Sequence, residues 1–82
     1  MESSLREKYN LAFYESFDLD PSVDLNTLKY QSIDEWDSIG HMTLMSELED
    51  AFNITISTDD LIQFESYLQG PDILKRYNII ID

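Results

Sequence analysis

The chain has 82 residues, no cysteine, and a formal net charge of -12 from 17 acidic and five basic residues. That length holds one small core, and so a single domain over residues 1–82, while the charge excludes a nucleic-acid binder, which needs a basic footprint. Lack of cysteine excludes disulfides and thiolate metal sites, no apolar run reaches membrane-spanning length, and 43% hydrophobic residues with two glycines and two prolines fit a globular chain.

Met1-Glu2-Ser3-Ser4 leads into no apolar segment, so no secretory signal and a cytoplasmic location are expected. Ser4-Leu5-Arg6-Glu7 has capping-box spacing, and Leu5, Tyr9, Ala12, Phe13 and Phe17 recur at helical steps. A first helix over about residues 4 to 17 is predicted. Asp18 to Asp37 holds Pro21, many turn formers and isolated apolar residues, which reads as a long loop pinned by Val23, Leu25, Leu28, Ile33 and Trp36.

A second helix should start at Asp37 or Ser38 and end near Phe52, with Leu44, Leu48 and Phe52 on one stripe and Met45 beside it. Its other face carries Ile39, Met42, Thr43, Ser46, Glu49 and Asp50, a mixture suited to a partner. Asn53-Ile54-Thr55-Ile56 alternates like a strand but has nothing to pair with, so an extended linker is predicted. Ser57 then caps a short helix through Leu61 and Ile62, reaching Phe64 at the furthest, with Asp60 as the carboxylate three residues on. Ser66 begins the last segment, where Ile73, Leu74 and Tyr77 give a helical stripe and Pro71 either starts the helix or distorts its first turn. Ile79, Ile80 and Ile81 are expected to close the core. The expected fold is all-α, a small four-helix bundle of three longer helices and a short third one, with the long loop between the first two.

Arg6, Lys8, Lys29, Lys75 and Arg76 all lie outside residues 30 to 74, so the middle of the chain is uniformly negative, which by itself fits a solvated face and, with Ser38 inside it, fits basic partners. Within it, Ser38 sits at a helix start, where unpaired backbone N–H groups favour a phosphate. Asp and Ser are ordinary cap residues, so the pair Asp37-Ser38 identifies nothing by itself. Gly40 adds to it, because glycine in a helix costs about 1 kcal/mol relative to alanine, so its use points either to a close approach or to tolerance of glycine in a frayed first turn.

Other chemistries fail on their requirements. His41, the single histidine, follows Ser38 by three residues, yet no nucleophile elbow or oxyanion-hole motif accompanies them, and a structural role for His41 is expected. Asp18, Asp20, Ser22, Asp24 and Asn26 alternate as in a calcium loop, but Val23 replaces the turn glycine and Lys29 the closing glutamate.

Asp37-Ser38-Ile39 resembles the Asp-Ser-Leu attachment motif of the acyl carrier protein family. The likeness continues through the acidic helix Leu44 to Phe52, the apolar pair in Asn53 to Ile56, and the opening of a third helix at Ser57-Thr58-Asp59-Asp60. The resemblance implies that Ser38 receives a 4'-phosphopantetheine arm from coenzyme A by the action of a separate phosphopantetheinyl transferase, with Asp37 supporting it. It implies a substrate shuttle rather than an enzyme, and a monomer. Ile39, Met42, Glu47, Glu49 and Asp50 would dock the transferase and the acyl-loading and acyl-using enzymes through their basic patches. Glu35 stands where fatty-acid carriers place glycine, Thr43 where they place an acidic residue, and Ser46 where they place an apolar one. These departures favour a specialised pathway, such as a secondary metabolite, modified sugar or surface polymer. The alternatives are an aminoacyl or peptidyl carrier, although the usual Gly-Gly-His/Asp-Ser motif is missing, and an acidic helical adaptor with no prosthetic group.

Overall fold

Ser4 starts the first helix by accepting the Glu7 N–H on its hydroxyl at 3.0 Å, in a computed structural model that describes residues 4–81. The expectation about a leader in Met1 to Ser3 lies outside the described residues. Helix α1 spans Leu5–Phe17 and ends where Asp18 takes a left-handed conformation, with φ of 51°. Asp tolerates that region better than most residues, because its short side chain hydrogen-bonds locally. Tyr9, Ala12, Phe13 and Phe17 form the buried face of α1, matching the periodicity.

The long loop is tied down as its apolar residues imply. Leu25 and Leu28 are buried around a 3-10 turn at Leu25–Thr27, and Trp36 is fully buried. Val23 and Ile33 pack against the same core from half-buried positions. The carboxylates of the calcium-like run serve the loop itself: Asp20 accepts from the Ser22 N–H and hydroxyl, and Asp24 accepts from the Asn26 backbone and side chain. Such turns replace a ladder of backbone hydrogen bonds and order a segment without regular structure.

Helix α2 spans Ser38–Phe52, packs against α1, and buries His41, Leu44, Met45, Leu48 and Phe52. Asn53, again left-handed at φ of 55°, ends it and releases the extended linker. Helix α3 spans Thr58–Gln63, capped by the Ser57 hydroxyl, which accepts from the Asp60 N–H at 3.2 Å. The final segment is shorter than its sequence implied: α4 covers only Gly70–Leu74, with Pro71 in its first turn, and tightens at once into a 3-10 turn, Lys75–Tyr77. The proline choice therefore resolves toward a start at Gly70, because an N–H missing in the first helical turn costs no intrahelical bond. Ile79 and Ile81 pack onto the core, whereas Ile80 turns outward and is 58% exposed.

Phe13 is the hub of the interior. Its ring meets those of Tyr9, Phe17, Trp36, Phe64 and Tyr67 at centroid separations of 5.0 to 6.3 Å. An aromatic cluster of this kind fills a small core with few residues, which suits a chain of this length. The loop before α2 and the turn after α3 are also joined directly, through an antiparallel bridge between Lys29 and Ser66. Tyr30 N–H donates to Glu65 O at 2.8 Å and Tyr67 N–H to Leu28 O at 3.1 Å. This bridge brings Tyr30 over the start of α2.

Candidate functional site

The start of α2 is fixed from both sides. Asp37, in extended backbone, accepts the Gly40 N–H on its carboxylate at 2.8 Å and the His41 N–H on its carbonyl at 2.8 Å. Ser38 follows as the first helical residue, and it is exposed. The close approach implied by Gly40 is real, but its occupant is the chain's own backbone. A Cβ added at Gly40 would lie 1.9 Å from the Glu35 carbonyl oxygen and 3.3 Å from a ring carbon of Phe17. Glycine here lets the incoming loop lie flat on the helix that carries Ser38.

Behind Ser38, His41 is buried and spoken for at both nitrogens. Trp36 donates its indole N–H to His41 Nδ1 at 3.0 Å, and an indole nitrogen can only donate. The imidazole is therefore the Nε2–H tautomer, and Nε2 donates to Leu61 O at 2.8 Å. The expected structural role for His41 holds: it ties the pre-helix loop to α3 through the interior. Ser38 and His41 border the same groove, yet the partner of Ser38 Oγ is the Tyr30 hydroxyl, at 3.1 Å. A base-activated serine is thus not assembled, since a triad needs the imidazole on the nucleophile.

That groove runs between α2 and α3 and has a volume of about 360 Å³. Tyr30, Ser38 and His41 form one end, and Met42, Leu61, Ile62 and Phe64 supply an apolar lining. Met42 is 54% exposed and Ile62 66% exposed, so the rim is apolar toward solvent. The far wall is braced by a cluster that sequence reasoning missed. Asp60 is buried, and its carboxylate pairs with Arg76 and accepts from the Tyr77 hydroxyl at 2.6 Å. The Tyr77 hydrogen bond, aided by the Arg76 charge, holds the Asp60 carboxyl below its ordinary value of 3.8. Tyr77 Oη also accepts the Ser57 N–H at 2.8 Å, taking the bond that a capping box would have given to Asp60. The signal for this cluster lay in the spacing of Asp60 from Arg76 and Tyr77, which no local pattern reveals.

The five residues expected to dock partners do not share one face. Ile39, 79% exposed, and Met42 stand on the outer side of α2 together with exposed Asp50. Glu47 borders a smaller groove toward α1, beside Lys8, Leu11 and Glu15. Glu49 is half-buried and its Oε2 accepts the Ile56 N–H at 2.8 Å, so part of its charge anchors the linker. Of the three departures from the fatty-acid pattern, Thr43 and Ser46 are exposed on α2, while the carbonyl of Glu35 closes against Gly40. Trp36, next to Glu35 in sequence, is in the core rather than on the surface.

An exposed hydroxyl on the first turn of a 15-residue helix, opening onto a groove, fits a flexible group joined through a phosphate. The family model for phosphopantetheine attachment sites matches residues 18–69, from the end of α1 to the start of α4. No curated protein and no solved structure gave a significant match. The match covers more than half of the chain and includes the loop, the whole of α2, the linker and α3. The chain belongs to the phosphopantetheine attachment-site family and is a carrier protein whose covalent prosthetic group is 4'-phosphopantetheine.

Proposed function

We propose that this protein is a discrete acyl carrier that holds acyl intermediates as thioesters on an arm attached to Ser38, in a specialised biosynthetic pathway of the cytoplasm. The observation that carries the reading is the position of Ser38: exposed, on the first turn of α2, and bordering an apolar groove. Asp37 supports it by capping that turn. The protein itself performs no bond chemistry. A phosphopantetheinyl transferase installs the arm, and acyl-loading and acyl-using enzymes dock with basic patches on a monomeric, acidic carrier. Ile39, Met42 and Asp50 form the nearest docking surface, with Glu47 and Glu49 contributing charge at its margins.

The lining of the groove supports the acyl reading. Met42, Leu61, Ile62 and Phe64 favour an aliphatic chain over a charged one, since burial of apolar surface is worth about 25 cal/mol per Å² and an unpaired ammonium gains nothing there. The second reading is an aminoacyl carrier, for which Glu65 at the groove rim is the specific support, as a carboxylate that would meet an α-ammonium group. Protein purified from its own cells, treated with hydroxylamine to cleave thioesters, tests the choice by mass spectrometry of what is released. An acyl hydroxamate is expected. An aminoacyl hydroxamate would select the second reading, and a chain with no arm and no released group would leave only an unmodified adaptor.

A further inference from the structure

The contact between Tyr30 and Ser38 lies outside everything the attachment motif requires. Tyr30 belongs to the long loop, eight residues before Ser38, and its hydroxyl is 3.1 Å from Ser38 Oγ. Its placement does not depend on that contact. The Tyr30 N–H is bonded to Glu65 O at 2.8 Å, and its ring sits edge-on to His41 with centroids 5.6 Å apart. His41 is in turn held by Trp36 and by Leu61 O. The tyrosine hydroxyl is therefore aimed at Ser38 by the folded loop and an immobilised ring.

We propose that Tyr30 is a positioning residue for the arm: its hydroxyl orients Ser38 Oγ before attachment, and afterwards it hydrogen-bonds the phosphodiester and lays the first part of the arm into the groove between α2 and α3. The proposal rests on the assignment of the arm to Ser38. Attachment forms a bond from Ser38 Oγ to the phosphorus that bears pantetheine in coenzyme A. It breaks the bond from that phosphorus to the oxygen that leaves with 3',5'-adenosine diphosphate, and the serine proton passes to a base on the transferase. Ser38 Oγ then has no hydrogen, so the proton remaining between the two oxygens is the tyrosine's, and Tyr30 becomes the donor. An ester oxygen is a weak acceptor, whereas the two non-bridging oxygens on the same phosphorus share a negative charge and accept strongly. A small rotation moves the donor onto one of them.

The rest of the lining makes Tyr30 the side chain for this task. Among the described residues, the hydroxyls that border the groove are those of Tyr30 and Ser38. Both nitrogens of His41 are already engaged, and Glu65 can only accept, so it repels a phosphodiester. A neutral donor suits the site for a second reason: among the described residues no lysine or arginine lines the groove, so a basic partner surface meets no resident cation there.

The test uses the full chain converted to its arm-bearing form with coenzyme A and a broad-specificity transferase. In the wild-type protein, nuclear Overhauser contacts are expected between the Tyr30 ring protons and the arm methylene next to phosphorus, and their absence overturns the proposal. Tyr30→Phe keeps the ring on His41 and removes one oxygen. The variant should still gain the arm, with an unchanged melting temperature, but its phosphorus-31 resonance should move. Its kcat for attachment should fall by about 2- to 10-fold at unchanged KM, the effect of losing one neutral hydrogen bond. An unmoved phosphorus resonance together with unchanged kcat overturns the proposal. Should Tyr30→Phe fail to fold, the wild-type contacts decide alone. Modification that persists in Ser38→Ala is a different result, since it refutes the attachment site itself rather than the role of Tyr30.

Discussion

Trp36 gives its indole N–H to His41 Nδ1 at 3.0 Å, and the two rings lie within 18° of parallel with centroids 6.2 Å apart. This pair joins the last turn of the loop to the first turn of α2 and, through His41 Nε2 and Leu61 O, to α3. It is the interior counterpart of the exposed contact between Tyr30 and Ser38. The loop, α2 and the groove wall are thus held as one unit behind the serine.

Trp36→Phe should lower stability by about 2 to 4 kcal/mol, because it leaves a buried acceptor on His41 unpaired and opens space beside Phe13 and Phe17. Urea unfolding should show a lower midpoint at unchanged slope. An unchanged midpoint would mean that His41 is held without the indole.

Gly40→Ala tests the close approach of Glu35. Alanine gains about 1 kcal/mol of helix propensity, but a Cβ 1.9 Å from a backbone oxygen forces the loop off the helix. Overpacking of this kind costs about 1 to 3 kcal/mol, so the melting temperature should fall. A rise would show that the loop gives way freely.

These two positions show how much of the molecule the sequence discloses. The stripe Leu44, Leu48 and Phe52 and the caps Ser4, Asp37 and Ser57 obey local rules, and each appears in place. Gly40 announced a close approach without saying to what, since Glu35 comes back over the helix only through the course of the loop. No local pattern announces the contacts Tyr30–Ser38, Tyr77–Ser57 and Asp60–Arg76. The partners lie 8, 20 and 16 residues apart, brought together by packing rather than by periodicity. Glu49 was legible as an acidic residue on the outer face of α2, but its bond to Ile56 depends on how the linker turns back after Asn53.

Asp60 makes stability depend on acid. Its carboxyl lies below 3.8 when folded, so the unfolded chain binds the proton more readily and the charged pair stabilises the fold above that value. The contribution is lost as pH falls through the lowered folded value. Asp60→Asn should therefore melt below wild type at neutral pH, and the gap should close as the pH drops below 3.8. A gap independent of pH would assign the effect to packing.

Asp50 and Glu49 separate docking from structure. Asp50→Lys should raise the KM for arm transfer by about 3- to 10-fold while the helical circular dichroism and melting temperature stay unchanged. Glu49→Lys should weaken docking and also lower the melting temperature, because the Ile56 N–H loses its acceptor. Transfer kinetics unaffected by Asp50→Lys would move the docking face away from the outer side of α2.

The central claim is that the prosthetic arm sits on Ser38, and intact mass measured after incubation with coenzyme A and several broad-specificity transferases tests it most directly. The wild-type chain should gain the mass of one phosphopantetheine group, and Ser38→Ala should gain none while keeping its helical circular dichroism. An unmodified wild-type chain across all the transferases, or a Ser38→Ala chain that still gains the arm, would contradict the account.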